Sequence, residues 1–218
     1  MEKNLKGKKI LITSGPVWVP IDKVRIITSI FGGALGVIMA EKAQKMGADV
    51  LLLMGPGRAE LNEKRLKVIR FKYFNELFDI MKKEISSKKY DIIIHSAAVP
   101  DYVPEKIFDG KIKSGKKDLT IKMKPTVKIV DYIKKWDPSA VLVKFKLQVN
   151  SKEKELIEIA KRSMAKSKAD VIVANDLLKM TKNKHSAFII DNKKIKKVNT
   201  KHSLAEELFK ITSSKLKP

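Results

Sequence analysis

Apolar positions along the chain follow two alternating rhythms. Short, nearly unbroken apolar runs alternate with stretches that repeat every three or four residues, which predicts strands followed by helices and a parallel sheet covered on both faces. KKILITSG, residues 8–15, reads as a buried first strand. A helix is predicted from about Gly33 to Met46, with Leu35, Ile38, Met39, Ala43 and Met46 at helical spacing and Gly47 as its C-cap. ADVLLLMGPG supplies a second strand and its turn, and LKVIRFKYF a third. NELFDIMKKEISSKK is expected to be an amphipathic helix with Asn75 as N-cap. YDIIIHSAAVPDY reads as a fourth strand, IIIH, running into a loop of small residues.

The middle of the chain breaks this rhythm. EKIFDGKIKSGKKDLTIKMK has Gly110 and Gly115 around a lysine run and only short alternating pieces, so an exposed hairpin or flap is expected near residues 103–124. After it, VKIVDYIKKW predicts a helix, AVLVKF a strand, KEKELIEIAKRSMAKS a helix and DVIVAND a strand. SAFIID with KKIKKV predicts a β-ribbon, and LAEELFKITSSKL a last helix. With no repeat or linker, residues 1–218 read as one domain. The expected class is α/β, a three-layer modified Rossmann-like fold with a mostly parallel central sheet and a flap.

Composition narrows the partners. At 218 residues and 44% apolar content, one sizeable core can be buried. There is no run of eighteen apolar residues and no leader-like start, so a soluble, cytoplasmic protein without a membrane span is expected. The absence of cysteine excludes disulfides, thiolate metal sites and a cysteine nucleophile. Lys plus Arg number 47 against 24 Asp plus Glu, and the resulting +23 field attracts anions. Because the charge is mostly dispersed lysine without arginine or aromatic clusters, a solvated surface facing anionic metabolites is favoured over a nucleic-acid face.

In an open parallel sheet, ligands gather at the carboxyl ends of strands near the point where strand order reverses. SGPVWVPIDKVR, GPGR, SAAVPDY and KFKLQVN are the segments expected there. A dinucleotide fingerprint would follow ILIT at once, but S-G-P stands there and the Gly32–Gly33–Gly36 cluster comes later, so hydride-transfer chemistry is disfavoured. Tyr102 and Lys106, the only Tyr-x-x-x-Lys pair, straddle Pro104 and cannot share a helical face. The helix start near Gly33 can hold an anion or merely pack closely on the sheet. Arg25 can clasp a phosphate or carboxylate, or pair with Asp22. His95 reads as a hydrogen-bonded strand-end residue, and three scattered histidines argue against a histidine metal site. Asp101 suits a ribose hydroxyl, a base amine, Mg2+ or loop capping. Lys111 and Lys113 lie in the flap, as ligand-closing or solvated lysines.

In order, ITSGPVWVPIDKVRIITS with GGALG, GADVLLLMGP, HSAAVPDYVPEKI, GKIKSGKKDLTIKMK, VLVKFKLQVN and DVIVANDL resemble the phosphopantothenoylcysteine synthetase (phosphopantothenate–cysteine ligase) family over nearly the whole chain. FKL and the lack of a fused flavoprotein decarboxylase look like its stand-alone form. The resemblance implies a homodimer joining 4′-phosphopantothenate and L-cysteine, with CTP (or ATP) and Mg2+, through an acyl-nucleotide. By the same resemblance, Arg25 and Ser29 occupy the phosphopantothenate and acyl-nucleotide positions. Gly33 and Gly36 open the helix, and Asn175 matches a position of unassigned role. Ala97, Ala98, Asp101 and Phe145 surround the nucleotide, and Lys111 contacts its phosphates. Lys166 and Lys168 stand for a helix lysine pair, displaced from its expected register. On this reading, Lys111 matters to turnover far more than Lys116.

The chain departs from the family pattern at the glycine turn. Ser29 stands where an asparagine is usual, Phe31 and Gly32 replace hydroxyl residues, and Pro100 fills a position usually small and flexible. Serine keeps a donor and an acceptor but has shorter reach. Weakened or lost ligation, with nucleotide binding retained, is therefore the alternative.

Overall fold

The computed structural model describes residues 5–61, 66–115, 117–181 and 184–216. Its centre is an eight-stranded sheet. In chain order the strands are β1 (Lys9–Ser14), β4 (Asp49–Met54), β5 (Lys67–Arg70), β6 (Ile92–His95), β9 (Val141–Gln148), β10 (Val171–Met180), β11 (His185–Ile190) and β12 (Ile195–Val198). Across the sheet they run β12-β11-β10-β9-β6-β1-β4-β5. The six strands from β5 to β10 are parallel, and β11 and β12 close one edge as an antiparallel ribbon. The chain steps outward from β1 through β4 to β5, then returns to the other side of β1 with β6. Strand order therefore reverses between β1 and β6.

Two helical layers cover the sheet, giving the expected three-layer architecture. Helices α1 (Ala34–Lys45) and α5 (Lys201–Ser213) bury Met39, Ala40, Ala43, Leu204, Leu208 and Phe209 on one face. Helices α2 (Phe74–Ser87), α3 (Val130–Trp136) and α4 (Glu153–Ser167) bury Leu77, Met81, Ile133, Leu156 and Ala160 on the other. Strands covered on both faces read as continuous apolar runs, which is why ILIT, VLLLM and III are so plain in the sequence. Among the described residues no helix is long and apolar enough to cross a membrane.

Two local expectations change. Helix α2 starts two residues earlier than Asn75 as N-cap implied, with Tyr73 as N-cap. The carboxylate of Glu76 accepts the Lys72 and Tyr73 N–H groups at 2.6 and 3.3 Å, taking over the capping that Asn75 was expected to provide. The flap is a short ribbon, β7 (Tyr102–Pro104) against β8 (Met123–Pro125), and its described intervening residues form no strand. A second small ribbon, β2 (Val19–Pro20) with β3 (Ile26–Ile27), carries the segment after β1. These two excursions form an arm. Lys23 N–H donates to Gly110 O at 3.1 Å, and Phe108 N–H to Ile21 O at 2.9 Å.

Candidate functional site

A cleft of about 560 Å3 opens at the carboxyl ends of the strands, on the reversal between β1 and β6. One wall is the start of α1. Gly33, its N-cap, has φ 88°, a left-handed conformation that lets the chain turn into the helix, and its carbonyl accepts the Ser14 hydroxyl at 2.8 Å. Gly36 lies one turn on, so close to Ser14 that an added Cβ would overlap that side chain. The glycines pack the helix onto β1, one of the two roles the sequence allowed, and the start of the helix lines the cleft.

The loop after β6 forms the facing wall. Ala98 N–H donates to Gly15 O at 3.0 Å, and its carbonyl accepts Val17 N–H at 3.1 Å. Ala97 N–H donates to the Thr13 hydroxyl at 3.0 Å. That hydroxyl lies 3.0 Å from His95 Nδ1. With one proton and two lone pairs, the hydroxyl accepts from Ala97 and still bonds the ring nitrogen. Burial, then the Lys144 charge, push the His95 pKa down to about 4. His95 is therefore a neutral, hydrogen-bonded strand-end residue lining the cleft.

The third side is cationic. Lys128, Lys144, Lys146 and Lys201 line the cleft, with Asp101 the only carboxylate among the described lining residues. Phe145 lines it beside Leu147. Lys144 is 8% exposed and is hydrogen-bonded through Nζ to Ser163 O and Ser167 Oγ, both at 3.1 Å. Burial lowers its pKa to about 8, with Asp131 opposing the shift and Lys128, Lys146 and Lys166 adding to it. At the far end Asn175 Nδ2 donates to His185 Nε2 at 3.0 Å, while Asn175 Oδ1 and His185 Nδ1 have no partner among the described residues.

Of the residues singled out in the sequence, Gly33, Gly36, Ala97, Ala98, Asp101, Phe145 and Asn175 line this one cleft. Asp101 is exposed there and lies 3.5 Å from Lys128 Nζ. Arg25, Ser29, Lys111, Lys166 and Lys168 do not line it. The Arg25 guanidinium is paired with Asp22 at 2.5 Å and reaches the Ile112 carbonyl. Of the two partners open to Arg25, the carboxylate of its own turn holds it. Ser29 Oγ is buried and has no partner among the described residues. Lys111 and Lys113 are exposed on the flap, and Lys116 lies outside the described residues. Lys166 and Lys168 point to solvent on either side of the buried Ser167. Sequence reasoning passed over Lys144 and Lys146. Lysines at alternate positions of a strand otherwise buried on both faces are the signal that marks them.

Among the described residues no three His, Asp or Glu side chains cluster as a metal cage. A hard divalent ion would find Asp101 and whatever phosphate oxygens a ligand brings, an arrangement that fits Mg2+.

Residues 5–215 match the family model described as DNA/pantothenate metabolism flavoprotein C-terminal domain. The bifunctional coenzyme A biosynthesis protein CoaBC of Thermococcus kodakarensis is 33% identical over 95% of this chain and 51% of its own length. Its Methanocaldococcus jannaschii counterpart is 36% identical over 81% of this chain and 43% of its own. This chain thus spans about half the length of these relatives. The crystal structure of the DNA/pantothenate metabolism flavoprotein from Streptococcus pneumoniae superposes with a TM-score of 0.87 at 30% identity, covering 96% of this chain and all of that one. The chain belongs to the DNA/pantothenate metabolism flavoprotein C-terminal domain family, whose members its motifs resemble as phosphopantothenoylcysteine synthetases.

Proposed function

We propose that this chain is the ligase of coenzyme A synthesis that joins 4′-phosphopantothenate to L-cysteine at the expense of a nucleoside triphosphate, CTP first and ATP second. The observation that carries the reading is the composition of the cleft at the strand-order reversal. It sets a glycine-opened helix end against four lysines, in a family whose relatives are named for coenzyme A biosynthesis.

The magnitudes say which wall matters more. A helix N-terminus favours an anion by about 0.3–1 kcal/mol. A hydrogen bond to a charged group contributes about 1.5–3 kcal/mol. The lysine wall therefore does most of the charge neutralisation, and the glycine end mainly places the ligand. In the proposed reaction the phosphopantothenate carboxylate attacks the α-phosphorus, and pyrophosphate leaves. The cysteine amine then attacks the acyl carbonyl, and the nucleoside monophosphate departs with the bonding pair. Little covalent chemistry falls to the protein, so acceleration comes from alignment and charge stabilisation. Ala97 and Ala98 leave room for close approach, and Phe145 offers a face for the base. Mg2+, carried by phosphate oxygens near Asp101, would add charge neutralisation at the α-phosphate.

Arg25, Ser29 and Lys111 belong to this reading through the arm. The arm exposes Val24, Ile26, Ile27, Ile30, Tyr102, Ile107 and Met123, a concentration of apolar side chains suited to a second copy of the chain. A homodimer would bring one protomer's arm to the other's cleft. Sustained pyrophosphate release should need triphosphate, phosphopantothenate and cysteine together, with no more than one equivalent per site released when cysteine is left out. Silence with CTP, ATP, GTP and UTP from folded protein would refute the ligase reading.

A further inference from the structure

Three side chains make a polar row across adjacent strands at the floor of the cleft. Thr13 of β1 is in register with His95 of β6, and His95 with Lys144 of β9. The face that carries them is otherwise apolar, with Leu11, Ile93 and Leu142 one step below. Burying an ammonium among such residues is costly, and its hydrogen bonds go to a carbonyl and a hydroxyl, with no direct ion pair among the described residues. The charged groups around it are Asp131 of α3, Lys128 before α3, Lys146 of β9 and Lys166 of α4; His95 of β6 is neutral. One weakly placed carboxylate against three lysines does not explain a buried cation by internal pairing.

The helix beside it supplies the second observation. The resemblance leads one to expect lysines near the end of α4, yet Lys166 and Lys168 face solvent. The positions of α4 that face the cleft floor are Ser163 and Ser167, and Lys144 Nζ sits between them. Two of the three Nζ donors are engaged by the helix, which leaves one for a ligand. We infer that Lys144, rooted on the sheet, is the phosphate-binding lysine of this cleft and replaces the cation that α4 does not supply. Its short tether to a central strand fixes the ammonium more firmly than a helix-surface lysine would be, so the triphosphate meets a preorganised charge.

This inference rests on the ligase reading, and calorimetric titration of the 218-residue chain with MgCTP and MgATP separates the two. Lys144→Met should weaken triphosphate binding about tenfold to hundredfold, the loss expected for one charge-assisted bond. The KM for triphosphate should rise with it while the KM for cysteine stays put. Lys161→Met, on the exposed side of α4, should change neither. The exchange variant Lys144→Ser with Ser167→Lys places a lysine from the helix in the same space and should recover most of the affinity. Wild-type binding with Lys144→Met unaffected, in a variant that melts cooperatively, overturns the role of Lys144 and leaves the ligase reading standing. A variant that binds weakly and is not rescued by the exchange also overturns it, since the loss is then one of packing. Wild-type protein that binds no triphosphate overturns both.

Discussion

The cleft and the arm hold their polar groups by opposite means. In the cleft, Thr13, His95 and Lys144 are fixed by strand register, each on a backbone paired on both sides. In the arm, beside the Lys23–Gly110 and Phe108–Ile21 backbone bonds, one carboxylate gathers most of the polar groups. Asp22 accepts Val24 N–H and Arg25 N–H at 2.8 and 2.7 Å, Ile112 N–H at 3.0 Å, and the Arg25 guanidinium. Strands paired on both sides tolerate the loss of one contact better than an arm whose ribbons meet through a few hydrogen bonds, most of them on one side chain. The difference also explains why Arg25, Ser29 and Lys111 stand apart from the cleft of their own chain.

Subunit exchange would strain this contrast most. If one protomer's arm completes its partner's cleft, Arg25→Ala and Gly36→Ala should each lower turnover about a hundredfold, the cost of misplacing a reactant by an ångström. Mixed and reassorted, the two inactive proteins should recover roughly a quarter of wild-type activity, because half the dimers are mixed and each mixed dimer holds one intact site. Failure to recover, with dimers demonstrably mixed, would place Arg25 in the service of its own chain.

A smaller effect is expected from Asp22→Asn. The amide keeps one acceptor but presents N–H where Ile112 N–H and Arg25 need an oxygen, so donor faces donor. Hydrogen exchange at Ile112 should quicken at least tenfold, and turnover should fall by about as much. The hydrogen bond from Ile112, ahead of those from Val24 and Arg25, holds the Asp22 pKa down to about 2 against burial. A carboxylate whose pKa is lowered on folding stabilises above its ordinary value and loses that contribution as pH falls through the folded one. Docking should therefore persist at pH 4 and fade toward pH 2. Equal protection of Ile112 in variant and wild type would show that the flap docks by other contacts.

How much of this the sequence carried follows from the kind of signal. The alternation of ILIT, VLLLM, III and VIVA with amphipathic stretches is long and periodic, and the layers follow from it. The end of α2 nearest Asn75 was misjudged because two residues three apart in the helix start, Tyr73 and Glu76, compete with any single capping residue. Gly33 and Gly36 were legible as a helix start, and Asp22 as a partner for Arg25, because those relations are local. What stayed hidden is register. Nothing in VLVKFKLQ says that Lys144 lies beside His95, far earlier in the chain, or that Ser167 meets its ammonium. Alternating lysines in a strand usually mean a solvated face, and only the parallel neighbours on both sides turn this one inward.

That burial predicts the smallest and most diagnostic effect. Lys144 has a pKa of about 8 in the folded protein against an ordinary 10.5, so between those values the unfolded chain holds more protons. Stability contributed by this site therefore rises with pH across that window, and the cost of the ammonium is fully present below pH 8. Lys144→Met, which keeps the bulk and removes the charge, should raise the Tm by about 2–4 °C at pH 7. The gain should shrink toward zero by pH 10. A lysine that destabilises its own fold at neutral pH and yet serves as the anchor for phosphate is a cation retained for its ligand. Thermal melts of both proteins across pH 6–10 would decide it, since a Tm gain independent of pH would trace to better packing of methionine, and a loss would make Lys144 a structural residue.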